Sequence, residues 1–451
     1  MKIVIIGTGK VGQSIMKNVC QEGHDITIID RNIEKVNNAI NTFDVLGICG
    51  NAPSIDILQE ADIQHADLVC AVTSSDEINL LTCYFAHKLG AKDTIARVRN
   101  PEFSKHLKLI KDDLGLSLTI NPEYEVAKII ASNLNLPSAL NIETFAKGLM
   151  ELVELKIEPN SILDNISLID LAAKYKFKVL VCAVERENEV YIPVGDFVLK
   201  ANDRIHVAAS HNDLIEFFDK ATSKLEKPKS IMIIGGGKIS LYFCQLVENS
   251  NYKIKIIDRD LNVCKSLSET LKNVDIIQGD GSDHDLLLDE GLDDIDAFMA
   301  LTGIDEENII ISMFAQMHKA KKIITKINNP VLNKMLESLS KVSVFSPKDI
   351  IADQVISYIR AKANNRGSNV KTLYKLVNQK VEALEFNVNA SFSKINIPLK
   401  NIKLKKNILI AGIIRNNTFI LPGGNHHFEI NDSVIVITTD KQLEDLSEIL
   451  Q

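Results

Sequence analysis

The chain repeats itself at long range, so whatever fold its first half adopts its second half must adopt too. Gly235 and Gly237 follow the apolar run 231–234 as Gly7 and Gly9 follow the run 3–6, an offset in numbering of 228. Asp258 closes the apolar segment 254–257 at the same offset from Asp30, which closes 26–29. From Gly50 onward the offset becomes 229: Gly279 answers Gly50, Asn308 answers Asn79, Pro330 answers Pro101 and Pro422 answers Pro193. One register shift across the repeat marks a duplication.

The repeated unit carries a recognisable device. Residues 2–31, KIVIIGTGKVGQSIMKNVCQEGHDITIIDR, join an apolar run, a glycine turn, an amphipathic stretch and a second apolar run ending in an acid. The first run, bounded by turn residues, predicts a strand buried on both faces. Gly7, Gly9 and Gly12 form GxGxxG: one glycine for the tight turn, one for close approach to a pyrophosphate, one for close helix–strand packing. Val11, Ile15 and Val19 recur at helical spacing, so the free N–H groups of that helix point at the pyrophosphate. Asp30 then stands where a carboxylate accepts ribose hydroxyls. An acid there disfavours a 2′-phosphate, offset in part by Arg31, and NAD or an adenine nucleotide is expected rather than NADP.

Strand patterns at 45–48, 68–71 and 94–98 alternate with helical patterns at 55–61 and 78–89, which predicts a doubly wound parallel sheet of the α/β class. Ligands bind such sheets at the carboxyl ends of the strands, which singles out Asn51 and Ala52 after Gly50, then Thr73, Ser74 and Arg97. Ser74 with Glu77 also fits a helix capping box. A guanidinium at the end of a buried strand wants an anion, either the pyrophosphate or an internal carboxylate. Beyond Pro122 a helical stretch, 125–134, leads into residues 141–221, where Val153, Leu155 and Ile157 alternate with Glu154, Lys156 and Glu158. That alternation predicts a strand with one wet face. Segments 179–184 and 189–193 flank Arg186, Glu187 and Asn188 like a hairpin. The expected domains are a Rossmann-like sheet over 1–135, a small α+β module over 136–222, a polar linker at 223–228, a second sheet over 229–365 and a second module over 369–451. The stretch ANNRGS, 363–368, separates the last two.

Composition removes several function classes. No apolar run among the 451 residues approaches the roughly 18 needed to cross a membrane, and no cleavable apolar leader opens the chain, so a soluble cytoplasmic protein is expected. Seven cysteines lie in apolar segments without CxxC spacing, which predicts core thiols rather than zinc or disulfides. A net charge of -8 argues against general nucleic-acid binding. His426 and His427 follow Gly423, Gly424 and Asn425 at a turn and read as an exposed pair or a metal site. Lys400, Lys403, Lys405 and Lys406 read as a solvated edge or a surface for an acidic partner. No catalytic residue and no metal ligand is assigned.

The copies differ informatively. Ser240 replaces the third glycine and must fit where helix and strand approach most closely. Lys326 replaces Arg97 and offers a point charge in place of a fork. Asp280 stands where the first copy has Asn51.

IIGTGKVG, AVTSSDEIN and ARVRNPEF, repeated as IIGGGKIS, ALTGIDEEN and TKINNP, resemble the TrkA family, the peripheral subunits of Trk potassium transporters with tandem RCK domains. The resemblance spans essentially the whole chain. It implies a homotetrameric ring at the inner face of the membrane, under a Trk-type potassium transporter, that binds NAD or NADH and ATP or ADP and regulates uptake. Its nucleotide residues would be Gly7, Thr8, Gly9, Lys10, Val11, Gly12, Asp30, Arg31, Asn51, Ala52, Thr73, Ser74 and Arg97. Their counterparts are Gly235, Gly236, Gly237, Lys238, Ile239, Asp258, Asp280, Thr302, Gly303 and Lys326. The runner-up is an NAD-dependent oxidoreductase, disfavoured because the second half is another cofactor-type domain and no histidine sits in an acid–base setting.

Overall fold

A computed structural model describes residues 1–135, 139–187, 189–222, 228–329, 331–332, 342–364, 370–376, 380–439, 443 and 445–451. Pro330, Asn188 and most of both expected linkers, 223–227 and 365–368, lie outside the described residues.

The first copy runs β1 (Lys2–Ile6), α1 (Lys10–Val19), β2 (Asp25–Asp30), α2 (Ile33–Thr42), β3 (Leu46–Cys49), α3 (Ile55–Glu60), β4 (Leu68–Ala71), α4 (Asp76–Leu89), β5 (Asp93–Arg97), α5 (Pro101–Ile110), β6 (Leu118–Ile120) and α6 (Pro122–Asn135). The six strands form one parallel sheet in the order β3-β2-β1-β4-β5-β6. Order reverses at β1, with β2 and β4 on either side, so the crevice of a doubly wound sheet opens above the β1 carboxyl end. Ile3, Val4, Ile5 and Ile6 are all buried, as helices on both faces require.

After α6 come β7 (Asn141–Phe145), β8 (Met150–Lys156), β9 (Ile166–Ser167), α7 (Leu168–Tyr175), β10 (Leu180–Arg186), β11 (Glu189–Tyr191), β12 (Val198–Leu199), β13 (Arg204–Ala209) and α8 (His211–Ala221). The second copy repeats the plan with β14 (Ser230–Ile234), α9 (Lys238–Leu246), β15 (Lys253–Asp258), α10 (Leu261–Thr270), β16 (Val274–Gln278), α11 (His284–Asp289), β17 (Ala297–Ala300), α12 (Asp305–Met317), β18 (Lys322–Lys326), β19 (Val342–Phe345) and α13 (Pro347–Asn364). Its sheet order, β16-β15-β14-β17-β18-β19, matches the first. The last module contains β20 (Val370–Leu376), β21 (Val381–Asn387), β22 (Ile408–Arg415), β23 (Thr418–Ile420) and β24 (Ser433–Thr438).

The repeat register is less uniform than one shift. Arg97 pairs with Ile120 and Lys326 with Phe345, so at the last strands the offset in numbering drops to 225, as it does between the helix starts Pro122 and Pro347. The offset is 229 again at β7 and β20. Helix α13 has 18 residues against 14 in α6, about one turn more, which restores the register.

Packing groups the chain differently from the repeat. One compact unit comprises Met1–Lys128 with Ser346–Ile359; the other comprises Ile129–Phe345 with Arg360–Gln451. Helix α6 therefore starts in one unit and continues in the other. The start of α13 belongs with the first sheet, where the Tyr358 hydroxyl donates to Asp93 Oδ1 at 2.9 Å and the Ser14 hydroxyl donates to Asp349 Oδ1 at 2.9 Å.

Within the larger unit both modules form antiparallel sheets of one order, β7-β8-β13-β10-β11 and β20-β21-β24-β22-β23. The expected wet face of β8 is dry at its start. Val153 and Leu155 enter the module's own core, but Met150 and Leu152, on the other face, pack with Ala183, Ala208, Ala383, Ala411, Ile435 and Ile437 of both sheets. Burying each large apolar side chain there is worth about 1.5–3 kcal/mol, which outweighs leaving the face to water. A Cβ on Gly412 would come within 2.7 Å of the Met150 sulfur, so the sheets meet backbone to side chain at that point. Each module also holds a buried aspartate in an arginine fork. Arg186 donates to Asp203 at 2.7 and 2.6 Å, and Arg415 to Asp432 at 2.9 and 2.8 Å.

Five of the seven cysteines are buried and all are free, but Cys49 is exposed at the end of an edge strand and Cys20 is half-buried, contrary to the core-thiol expectation. No helix among the described residues is long and apolar enough to cross a membrane.

Candidate functional site

Each copy builds the same crevice from four chain segments. The Gly7 N–H donates to the Ile29 carbonyl at 2.8 Å and Gly235 to that of Ile257 at 2.9 Å, binding the glycine turn to the neighbouring strand. Both glycines have left-handed φ values, +97° and +100°, and a Cβ on either would press at 3.0 Å on the backbone after β4 or β17. Only glycine fits. The next glycines, Gly9 and Gly237, are the N-caps of α1 and α9, and nothing lies within 4 Å of where their Cβ would stand. Open space over two helix N-termini without acidic first-turn residues suits an anion. Lys10 and Lys238 are exposed beside it, whereas Val11, Ile239 and Ala52 are buried and serve the core.

At the third glycine the copies diverge. A Cβ on Gly12 would fall 2.1 Å from the Gly7 carbonyl oxygen. Ser240 is nonetheless fully buried in the second copy, because its hydroxyl donates to the equivalent Gly235 carbonyl at 2.5 Å. The second copy thus holds by a side-chain hydrogen bond the carbonyl that the first copy packs against a bare glycine, and the turn keeps its shape.

The acids hold the turn as well as facing the crevice. Asp30 Oδ2 accepts the Thr8 N–H and hydroxyl, both at 2.8 Å, and Oδ1 accepts the Asn32 N–H at 3.0 Å. Burial pushes the Asp30 carboxyl up, but the bonds from Thr8 and Asn32 and the nearby Lys35 bring it below the usual carboxylate range. Counting two lone pairs per oxygen, Oδ2 is filled and Oδ1 has room for one ribose hydroxyl. Asp258 accepts Gly236 N–H at 2.6 Å and Asp260 N–H at 2.8 Å, and with glycine in place of Thr8 it receives no hydroxyl from the turn. Arg31 is exposed beside Asp30. Asp280, the counterpart of Asn51, is exposed and engaged locally by the Ser282 N–H and hydroxyl at 2.9 and 2.8 Å; those bonds lower its pKa.

A buried asparagine ties the far wall together. Asn79 Oδ1 accepts the Thr73 N–H at 2.9 Å and its hydroxyl at 2.7 Å, while Nδ2 donates to the Thr73 carbonyl at 3.3 Å and the Arg97 carbonyl at 2.9 Å. Asn308 repeats every bond with Thr302 and Lys326, at 3.0, 2.8, 3.3 and 2.9 Å. Asp76 Oδ2 accepts the Arg99 and Asn100 N–H groups at 2.8 and 2.7 Å; Asp305 Oδ2 accepts those of Asn328 and Asn329, both at 2.8 Å. Asn79 and Asn308 mark the repeat in the sequence, but their role depends on the carbonyls of Arg97 and Lys326, each on the strand that follows the asparagine's own helix. Arg99 lies two residues past the end of β5, where no strand period singles it out; its guanidinium donates to the Ser74 carbonyl at 2.5 Å.

The capping expectation needs correction by one residue. Ser75, not Ser74, caps α4, its Oγ accepting the Ile78 N–H at 3.2 Å and donating to Glu77 at 2.7 Å. The Asn79 tie fixes Thr73 outside the helix, which leaves Ser75 at the N-cap and Ser74 exposed. Gly303 is likewise exposed after Thr302.

Arg97 is half-buried and its guanidinium lies 3.6 Å from Glu123 Oε1, an ion pair beyond hydrogen-bond distance. Burial lowers the Arg97 pKa, and the Glu123 charge opposes that. Arg97 Nε and Glu123 Oε2 are both buried with no hydrogen-bond partner among the described residues. Lys326 instead donates to the Leu301 carbonyl at 3.2 Å, against the backbone on which Gly235 rests.

Elsewhere His284 stacks on Phe314 at 3.8 Å, His318 Nδ1 lies 2.7 Å from Asp293, and His426 Nδ1 accepts the Gly423 N–H at 2.9 Å. Among the described residues no group of three potential ligands is placed to hold a metal ion.

Comparison with known proteins matches this architecture. The TrkA-N domain description matches residues 3–122 and 231–357, and the TrkA-C domain description matches residues 152–222 and 384–451. Trk system potassium uptake protein TrkA homolog 1 of Methanosarcina mazei is 32% identical over 446 residues, covering 97% of each chain. Trk system potassium uptake protein TrkA of Vibrio alginolyticus is 29% identical over 457 residues, covering 100% of this chain and 99% of its own. Among solved structures, the GsuK RCK domain (15% identity, 98% of this chain and 93% of that one) and the GsuK channel bound to NAD (15%, 98% and 77%) each superpose with a TM-score of 0.63. GsuK bound to ADP gives 0.52 at 14% identity over 80% of this chain and 69% of that one. At such identities the likeness establishes a shared fold.

Proposed function

We propose, from the premise that this chain belongs to the TrkA family of tandem TrkA-N and TrkA-C domains, that it is a nucleotide-responsive regulatory subunit of a potassium uptake system. Its partner is a membrane-embedded potassium transporter of the Trk type, and its ligands are NAD or NADH and ADP or ATP. It works as a homo-oligomer, a tetramer in the family's pattern, held at the inner face of the membrane by that partner. The observation that carries the reading is one crevice built twice with the same hydrogen-bonded frame. The relatives' potassium-uptake names and the fold shared with GsuK, solved with NAD and with ADP, support it.

The chain's own groups fit a dinucleotide or nucleoside diphosphate. The first turns of α1 and α9, capped by Gly9 and Gly237, offer N–H groups to a pyrophosphate, Asp30 and Asp258 retain acceptor capacity for a ribose, and Arg97 and Lys326 bring a cation to the rim. Bound nucleotide supplies negative charge and a rigid adenosine; nothing in the reading asks it to react. Regulation then requires different affinity in two conformations. One site typically couples with about 1–3 kcal/mol, and several identical sites in one ring add their contributions. The oxidoreductase alternative has no observation in its favour, since the second half repeats the first sheet order instead of adding a different domain.

Hydrogen-exchange titration of the full chain with NAD, NADH, ADP and ATP tests the reading, because segments 7–12 and 235–240 report the two crevices separately. Protection of either segment by at least one of these nucleotides, and none by adenosine-free pyrimidine nucleosides, is expected. Exchange unchanged by all four would refute it.

A further inference from the structure

We propose that Glu123 is the resident counter-ion of Arg97, surrendered when Arg97 binds a nucleotide phosphate, and that this exchange reports occupancy of the first crevice to helix α6. The proposal rests on the reading of that crevice as a nucleotide site.

The pair has the geometry of a placeholder. At 3.6 Å the two groups attract without a directed hydrogen bond. Each also keeps a buried polar atom, Arg97 Nε and Glu123 Oε2, with no partner among the described residues. Such buried polar atoms are costly, so the present arrangement is one that either group can improve. A phosphate offers Arg97 two charge-assisted bonds of about 2.7–2.9 Å in its preferred fork geometry, which Glu123 does not provide here. Glu123, once released, is not stranded: it lies in the first turn of α6, where the helix dipole favours a negative charge.

What makes the exchange informative is where Glu123 sits. Helix α6 begins with Pro122 in the unit of the first sheet, and from Ile129 onward it belongs to the other unit. The first turn is otherwise anchored by the Asn121 side chain, which accepts the Tyr124 N–H at 3.0 Å. The Arg97–Glu123 attraction thus ties the carboxyl end of β5 to the helix by which the chain passes from the first unit to the second. Loss of the tie alters the start of that helix directly.

Four full-length proteins test this: wild type, Glu123→Gln, Arg97→Ala and the double variant, titrated with ADP and with adenosine as the phosphate-free probe, and followed by hydrogen exchange at 7–12 and 122–128. Glu123→Gln removes the competitor and should tighten ADP binding about fivefold, the upper range for a partly exposed ion pair, while leaving adenosine unchanged. Without ligand, its segment 122–128 should already exchange as the wild type does with ADP, and Glu123→Asp should restore wild-type behaviour. In the Arg97→Ala background, Glu123→Gln should change nothing. If Arg97→Ala weakens ADP binding but Glu123→Gln leaves it unaltered, the exchange is overturned and the nucleotide reading stands. If Arg97→Ala leaves ADP binding intact, Arg97 is not a phosphate ligand and the exchange is overturned on that ground. Wild type that binds no nucleotide at 7–12 would remove the nucleotide reading itself.

Discussion

Replacing Lys322 with methionine should stabilise the protein at neutral pH and lose that advantage in mild alkali. Lys322 opens β18, is almost fully buried, and its ammonium donates to the Ala139 carbonyl. Burial alone pulls its pKa from 10.5 to about 7. A base with a lowered folded-state pKa binds fewer protons when folded, so stability rises with pH between the two values and falls as pH drops from 10.5 towards 7. Over that window the depression amounts to about 4–5 kcal/mol at pH 7, and to about 2 kcal/mol at pH 9. Methionine fills similar volume without that cost but leaves Ala139 without its donor, which costs about 1–3 kcal/mol. The variant should therefore gain about 2 kcal/mol at pH 7 and be near parity at pH 9. Urea unfolding of both proteins at the two pH values measures the difference through the midpoints. A difference that does not change with pH would show that Lys322 titrates normally, and a loss of stability at pH 7 would show that its contact with Ala139 outweighs burial of the amine.

Two further outcomes follow from buried polar groups. Asn79→Ala should cost about 2–4 kcal/mol, since it orphans the Thr73 N–H and the Arg97 carbonyl, and should weaken ADP protection of segment 7–12 because Gly7 rests on the backbone of Thr73; thermal unfolding that moves by less than a degree would mean that water replaces the tie. His206, buried in β13 opposite Glu154 and two residues from Arg204, has its pKa lowered by burial and by Arg204, with Glu154 opposing. Its neutral form is favoured on folding, so its contribution is intact above about pH 6.5 and lost as pH falls below that value. The melting temperature of His206→Gln should accordingly decline less than that of the wild type between pH 7 and pH 5, and parallel curves would remove His206 from the account.

Much of the fold was legible because it is written locally. An apolar run, a glycine turn and a helix with its regular period follow one another without interruption from Lys2 to Val19, and the repeat states each of them twice. The conclusions that failed depend on partners remote in sequence. Ser74 and Ser75 are equivalent as caps until Asn79 takes hold of Thr73. The second face of β8 looks wet from Glu154 and Lys156, and only the other module, far along the chain, explains why Met150 and Leu152 are buried. Nor does any pattern within α6 reveal that its two ends belong to different packing units. The copies also share less than their motifs suggest. Position 93 is an aspartate receiving the Tyr358 hydroxyl, while its counterpart at 322 is a lysine donating to Ala139. Arg97 faces a carboxylate, while Lys326 faces a carbonyl. What the duplication retained is the hydrogen-bonded frame: the glycine turn, the acid and the asparagine tie. What it let drift is the charge at the rim and at the strand starts, where each copy has found different partners. If the two crevices respond to different nucleotides, the cause lies in those drifted residues, and exchanging Arg97 and Lys326 should move the preference while leaving both frames standing.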